Sequence, residues 1–327
     1  MRKLFILLFC CLSSWLQAQQ EAQYTQFMYN KQLLNPAWVG SRRIPSITVL
    51  YRNQWIGFNG NPQSYHLGID GPFFSERLGA GLVIGNQSDG VTRRLYADLA
   101  LSYDIVHSEK MTLRVGLSGA MRSYRFDLGS PNVYVRDRID PSLVTMEHEQ
   151  LVSNIGTGIY VDYQDFYLGV SIPNLFRNFI NIHDNPSVSS PAQEQRHIYA
   201  MAGGLFAIMG DALELKPSVL FKYVQNAPFS FDANLNVMFK RTFSVGLSYR
   251  YGQSSGAGDS ADLLAFFQAT NRLGLGIAYD FTLSELKNYS NGSIEALIRY
   301  DLGSSNNPAK DGKQRDWKRM SNPRYFF

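Results

Sequence analysis

The stretch TFSVGLSYRYG, residues 242–252, carries the alternation of apolar and polar side chains that decides the fold. Its apolar row consists of Phe243, Val245, Leu247, Tyr249 and Tyr251. Successive side chains of a β-strand point to opposite faces, so this row must be covered by apolar surroundings while Arg250 faces the other way. A water-soluble sandwich and a lipid-embedded barrel would both cover it.

The length of the recurring pattern separates these two architectures. Similar apolar rows begin at Leu95, Leu113, Phe229, Leu273 and Ile294. Strands of soluble sandwiches typically run about 5 to 6 residues, whereas a tilted strand that crosses a bilayer needs about 9 to 11. The rows here have the longer span, and tyrosines near their ends are typical of an aromatic girdle. We therefore predict an all-β protein, an antiparallel transmembrane outer-membrane β-barrel of about 14 strands.

Short and long connections alternate along the predicted strands, which is typical of periplasmic turns and external loops. The first strand is predicted near residues 46–56 and the sixth near 154–164. An even number of strands places both termini in the periplasm. The predicted divisions are a signal peptide at 1–18, an N-terminal periplasmic or plug segment at 19–44, the barrel at 45–303 and a basic periplasmic tail at 304–327.

The first twenty residues, MRKLFILLFCCLSSWLQAQQ, have the order of a secretory signal peptide: cations, an apolar run and a small residue at Ala18. An uncleaved anchor and a lipoprotein are the alternatives. Cleavage would remove both cysteines, so we expect no disulfides. It would also remove Arg2 and Lys3, which lowers the formal charge from +4 to +2 and argues against nucleic-acid binding. No later apolar run is long enough for a membrane-spanning helix.

Charged side chains on the polar faces of the strands are expected inside the barrel. In the opposite register they would meet acyl chains, at a cost of about 2–4 kcal/mol each at mid-depth. The small residues Gly79 and Gly81 are expected on the same side. The lumen-facing candidates are Arg114, Arg122, Asp232, Arg250, Glu295, Arg299 and Asp301.

Three stretches carry a family resemblance: QYTQFMYNKQLLNPAWVGSRR at 23–43, YRNQWIGFNGNPQSY at 51–65 and SNPRYFF at 321–327. In this order around a barrel-like middle, they resemble the PorP/SprF family of outer-membrane proteins of the type IX secretion system of Bacteroidota. The residues that match are Tyr24, Gln26, Asn35, Pro36, Ala37 and Gly40, then Tyr51, Arg52, Gln54, Trp55 and Gly57, then Pro323, Arg324, Tyr325 and Phe326.

The resemblance implies a non-enzymatic outer-membrane component that helps to export or anchor secreted adhesin-type proteins, including those of gliding motility. Its implied partners are the periplasmic ring and lipoproteins of that machinery, together with the adhesin cargo. The partner-binding candidates are Asn35, Pro36, Ala37, Gly40, Arg52, Gln54, Trp55, Pro323, Arg324, Tyr325 and Phe326. The alternative is a transporter of hydrophobic small molecules, because long-chain fatty-acid transporters are similar barrels with an NPA-containing hatch.

Elementary chemistry adds local expectations. Asn35-Pro36 predicts a turn, because proline fixes its own φ and restrains the residue before it. The N-terminal segment is expected to fold into the periplasmic mouth, with a disordered leader as the alternative. Trp55 is expected to lie on the apolar face as an interface anchor. The five histidines lack metal-binding spacing and no nucleotide-binding or hydrolase motif occurs, so no cofactor, metal or catalytic residue is predicted.

Overall fold

The computed structural model describes residues 23–108, 110–127, 147–180, 193–210, 212–225, 227–252 and 258–302. In these ranges the regular secondary structure is almost entirely β-strand. They are β1 (Ser46–Asn53), β2 (Gln63–Phe73), β3 (Ser75–Asp89), β4 (Thr92–His107), β5 (Met111–Asp127), β6 (Glu147–Tyr163), β7 (Phe166–Ile172), β8 (His197–Gly204), β9 (Phe206–Ala207), β10 (Leu213–Val224), β11 (Ser230–Phe239), β12 (Phe243–Gly252), β13 (Ser260–Gln268), β14 (Leu273–Thr282) and β15 (Ser293–Asp301). The described helices are short 3₁₀ turns at Phe27–Tyr29, Lys31–Leu33, Pro36–Trp38 and Glu285–Asn288.

The strands form one closed antiparallel sheet. Each described strand pairs with the next one along the chain, except that β8 pairs with β10 and not with the short β9, and β15 pairs with β1 to close the circle. Both β8 and β9 pair with β10, so together they form one position in the wall. The described wall therefore has 14 positions, and the predicted barrel is confirmed. None of the described helices is long and apolar enough to cross a membrane.

Strand β12 shows why the barrel closes in this register. Phe243, Val245, Leu247 and Tyr249 are exposed on the outside of the barrel, whereas Ser248 and Arg250 are buried inside. The register prediction for this stretch is correct. Closure removes every free sheet edge, which is what a hydrocarbon environment requires of a β-protein.

Among the strands whose bounds differ from the prediction, three have an evident physical reason. The first ends at Asn53 because Trp55 has a positive φ of 55°, so Trp55 lies in a turn and not on the apolar face of a strand. The sixth begins at Glu147, since its polar start continues the ladder with β5. The eighth, predicted at 197–209, is interrupted at Leu205. Its ladder with β10 stops after the pair Gly203–Ser218 and resumes at Phe206–Leu215, and the gap contains Pro217, whose missing N–H cannot donate to the ladder.

The barrel has two distinct ends. One end carries tight connections, such as Phe74, residues 164–165 and residues 240–242, and we call it the short-turn end. The other, the long-loop end, carries most of the longer connections, including residues 54–62 and 173–196.

Residues 23–45, which we call the plug, lie inside the barrel. Their apolar side chains form a core with inward-facing wall residues. The plug members of that core are Tyr24, Phe27, Met28, Tyr29, Leu34, Ala37 and Trp38, and the wall members are Leu50, Tyr160, Tyr167, Tyr199, Met201, Leu220, Leu264, Phe266, Ala278 and Leu297. The hydrophobic core of this protein is therefore in the lumen, surrounded by a wall whose outer face is also apolar.

Candidate functional site: the filled lumen

The wall makes room for the plug with inward-facing glycines. A Cβ added to Gly79 would overlap the carbonyl oxygen of Val39, and one added to Gly116 would overlap the backbone nitrogen of Ala37. The same holds for Gly158, whose added Cβ would collide with Asn35 Oδ1. Real Cβ atoms do not approach other atoms so closely, so the plug backbone can lie against the wall only where these side chains are absent.

The Asn35-Pro36-Ala37 sequence forms the contact in the middle of the plug. Asn35 Oδ1 accepts a hydrogen bond from Ala37 N at 2.9 Å, and proline occupies the first position of the 3₁₀ turn. Asn35 Nδ2 donates to the carbonyl oxygen of Ile159 at 3.1 Å. Ser171 Oγ of β7 donates to Leu34 O at 2.6 Å. One asparagine thus caps the turn and attaches it to the wall.

Two arginines of the plug are held at the short-turn end. Arg42 Nη2 donates to both carboxylate oxygens of Asp301, each at 2.8 Å, and Arg43 pairs with Asp104. Asp104 also forms an ion pair with Arg114, whose Nε lies 2.5 Å from Asp104 Oδ1. All of these side chains are at least nine-tenths buried. Each of these charges therefore lies against a side chain of opposite sign within the lumen, which buried charges require.

Gly40 closes the plug at the same end. Its φ of +67° lies in the left-handed region that favours glycine, and an added Cβ would meet Gly79 Cα at 2.7 Å. Its N–H donates to Asp70 Oδ2 at 3.0 Å, and Ser46 Oγ donates to Asp70 Oδ1 at 2.8 Å. Asp70 therefore joins the end of the plug to the start of β1.

A second charged cluster holds the plug at the long-loop end. The backbone N–H groups of Thr25 and Gln26 donate to the two oxygens of Glu295, at 3.0 and 2.9 Å. Arg52 pairs with Glu295 at 3.1 Å and with Asp280 at 2.6 Å. Thr25 Oγ1 donates to Asp280 Oδ1 at 2.8 Å. A carboxylate that accepts two adjacent backbone N–H groups binds the chain itself and not a particular side chain.

This cluster continues across the neighbouring strands. Arg250 Nε pairs with Asp232 at 3.0 Å and its Nη1 lies 3.7 Å from Asp280. Lys222 Nζ pairs with the other oxygen of Asp232 at 2.6 Å. The contacts thus link Arg52 to Lys222 through Asp280, Arg250 and Asp232.

Between the two clusters, aromatic side chains surround cations. Lys31 Nζ donates to Tyr160 OH at 3.1 Å and lies 3.5 Å from the ring centroid of Tyr167. Tyr29 stacks on Phe266 with ring centroids 4.4 Å apart. The guanidinium carbon of Arg299 lies 5.4 Å from the ring centroid of Phe266.

One connection of the long-loop end also reaches into the lumen. Glu194, between β7 and β8, accepts hydrogen bonds from Tyr124 OH at 2.8 Å and from Asn154 Nδ2 at 3.0 Å. Asn178 Nδ2 donates to the same carboxylate at 2.8 Å, and Arg122 lies 3.4 Å away. This contact fixes the β7–β8 connection against the inner faces of β5 and β6.

The structure brings together many of the residues selected from the sequence. Asn35, Pro36, Ala37 and Gly40 lie in the plug, and all seven lumen-facing candidates, Arg114, Arg122, Asp232, Arg250, Glu295, Arg299 and Asp301, are buried inside the barrel. Arg52 joins them, whereas Gln54 and Trp55 lie in the long-loop connection after β1 and do not contact the plug ion pairs. Pro323, Arg324, Tyr325 and Phe326 lie outside the described residues.

The path of the plug differs from its expected position. It was expected at one mouth of the barrel, but Thr25 lies among residues near the long-loop end and Arg42 among residues near the short-turn end. The segment therefore runs along the lumen, because Glu295 and Asp301 bind its two ends from opposite ends of β15.

Sequence reasoning also missed Lys31, Asp104, Asp280 and Glu194 as functional contacts. The position of Asp104 and Asp280 on the polar faces of their strands could have indicated that they face the lumen. No sequence pattern indicated this for Glu194.

Comparison with known proteins decides the family. The sequence profile described as "Type IX secretion system membrane protein PorP/SprF" matches residues 16–300. The chain belongs to the PorP/SprF family. This member is accordingly an outer-membrane β-barrel of the type IX secretion machinery. No curated protein sequence matches it.

Three solved structures are similar to this chain over most of its length. The CymD monoaromatic hydrocarbon channel is 12% identical, with a TM-score of 0.48 over 85% of this chain and 92% of that one. The outer membrane protein Omp33 of Acinetobacter baumannii is 7% identical, with a TM-score of 0.47 over 80% and 99%. A FadL homologue of Pseudomonas aeruginosa is 13% identical, with a TM-score of 0.46 over 85% and 94%.

Proposed function

We propose that this PorP/SprF protein is a non-enzymatic component that assists export or surface anchoring of adhesin-type proteins, and that it acts as a plugged barrel and not as a conduit. Membership of the family supports the secretion role. The observation that carries the second part is the attachment of the plug to the wall at both ends, through Glu295 and Asp301. Loss of one partner of a buried ion pair such as Arg42–Asp301 costs about 3–5 kcal/mol, and Glu295 holds two backbone N–H groups at the other end, so this attachment favours a plug that stays in place.

The proposed partners are the periplasmic ring and lipoproteins of the secretion machinery, with the short-turn end facing the periplasm. β15 ends at that end, so the basic tail of residues 304–327 begins there. The terminal sequence SNPRYFF supplies arginine and aromatics, residue types that dominate interface hot spots. We propose that this tail binds a periplasmic or lipoprotein partner.

Affinity purification from native outer membranes tests the proposal. A strain lacking the native protein would carry a tagged wild-type copy or a variant without residues 321–327. The wild type should co-purify secretion components and restore adhesin display on the cell surface. The truncated protein should reach the membrane in normal amount, yet lose both the partners and the display. Persistence of both in the truncated strain would contradict the proposed role of the tail.

The transporter alternative predicts a different phenotype. A hydrophobic-solute channel would restore uptake of a labelled fatty acid and leave adhesin display unchanged. We expect uptake to be the same with and without the protein. Loss of uptake in the deletion strain, with display intact, would favour the transporter and contradict our proposal.

A further inference from the structure

A row of polar side chains crosses the inner face of the wall beside the charged cluster at the long-loop end. Asn234 of β11 is paired with Ser248 of β12, Ser248 with Asp262 of β13, and Asp262 with Asp280 of β14. All four side chains are buried. Ser260 lies two residues before Asp262 on the same face of β13, at the start of that strand. The row therefore lies close to the long-loop mouth of the barrel.

Asp262 differs from the other carboxylates of the cluster because it forms no ion pair. Neither carboxylate oxygen of Asp262 accepts a hydrogen bond of good geometry, although the Ser260 hydroxyl lies close enough to interact with it. The hydroxyl oxygen of Ser248 also has no partner, and Ser248 and Ser260 are only 5% and 6% exposed. An unpaired buried carboxylate is among the most costly groups a protein can contain, so this arrangement calls for a positive partner.

The neighbouring cations form their ion pairs with other carboxylates, although Arg250 also attracts Asp262 at longer range. Arg250 contacts Asp232 and Asp280, and Lys222 contacts Asp232. Arg52 contacts Asp280 and Glu295. Among the described residues of the cluster, four carboxylates, those of Asp232, Asp262, Asp280 and Glu295, face three cations. The cluster thus has an excess of one negative charge, and Asp262 is the carboxylate of the four that forms no ion pair.

We propose that Asp262, Ser248 and Ser260 bind one monovalent alkali cation, of which sodium is the abundant representative. Hard cations take oxygen ligands, and a carboxylate with two hydroxyls supplies only oxygens. Calcium sites usually gather several carboxylates, and the described residues contain no group of three or more His, Cys, Asp or Glu side chains placed to hold a metal. A single positive charge also matches the single excess negative charge.

The experiment is thermal unfolding of the purified, detergent-folded full chain at one ionic strength. Sodium chloride is compared with choline chloride, because choline is too large for a site formed by adjacent strands. We expect sodium to raise the unfolding temperature of the wild type by about 3 °C or more, and the Asp262→Asn variant to lose this difference. Asp89→Asn, at an exposed carboxylate near the same end, should retain it.

A milder variant keeps the proposal testable if Asp262→Asn folds poorly. Ser248→Ala should raise the sodium concentration that gives half of the stabilisation by several-fold, with the barrel fold intact. Equal unfolding temperatures of the wild type in sodium and choline would overturn the proposal. A sodium effect that survives in Asp262→Asn would do so too. So would stability that falls with rising pH and ignores the cation, because Asp262 would then be a protonated acid. None of these outcomes depends on the secretion role.

Discussion

Gly116 and Gly119 are three positions apart on β5 but face opposite sides of the wall. An added Cβ at Gly116 would overlap the plug, whereas one at Gly119 would have no atom within 4 Å. We predict that Gly116→Val lowers the free energy of unfolding by about 1–3 kcal/mol, the usual cost of overpacking, and exposes the plug to protease. Gly119→Val is the matched control and should behave as the wild type. Equal urea midpoints for the two variants would mean that the plug does not lie against β5.

The ion pair of Arg42 and Asp301 can be tested by exchanging the two charges through mutation. Arg42→Glu places two carboxylates together in a buried site, and removal of one partner of such a pair costs about 3–5 kcal/mol. Combining it with Asp301→Arg restores an opposite-charge pair. We predict that the double variant recovers a large part of the urea midpoint lost by Arg42→Glu. Additive losses in the double variant would show that the two side chains do not interact.

At the scale of the element, β12 allows a test of how the free-energy cost of a charged side chain depends on its depth in the bilayer. Leu247 is exposed on the outer face near the middle of the strand, whereas Thr242 lies in the turn before it. Arginine on the lipid face costs about 2–4 kcal/mol at mid-depth and about 0–1 near the interface. Leu247→Arg should therefore strongly reduce the heat-modifiable folded protein in the membrane, and Thr242→Arg should not. If both variants accumulate equally, the outer face of β12 does not contact acyl chains.

The strands differ in how well their extent could be predicted from a single sequence. Alternation in β12 was sufficient because lipid outside and a crowded lumen inside impose one rule on every residue of the strand. The break at Leu205 and the polar start of β6 escaped it, because the first depends on Pro217 in the next strand and the second on pairing with β5. Alternation of apolar and polar residues reports what surrounds the two faces of a strand. These two features depend instead on the strands that are hydrogen-bonded to it.

The lumen contacts were harder to predict for the same reason. Burial of Arg250 and Glu295 follows from their strand faces. Their partners do not, since Thr25 meets Asp280 across 255 positions of the chain. Gly79 and Gly81 were expected to be small lumenal residues, but only the folded chain shows that Val39 lies against them. Sequence thus indicated which residues face inward, and folding determined which of them meet.

At the scale of the whole molecule, the charged clusters at the two ends and the inward-facing glycines of the wall make the plug part of the barrel's core. A β-barrel of this size closed by its own N-terminal segment presents its outer wall to lipid and its two ends to partners. This division suits a component that positions other proteins in a secretion machine. It also separates the barrel from porins, whose lumen is a water-filled channel.

Ion conductance of the purified protein in planar lipid bilayers tests this account most directly. The wild type should give no steady open-channel current, because the plug fills the lumen. A variant lacking residues 23–40, shown to be folded by its heat-modifiable mobility, should conduct. Steady wild-type channels with the conductance of the deletion variant would contradict the central claim that the barrel is closed by its N-terminal segment.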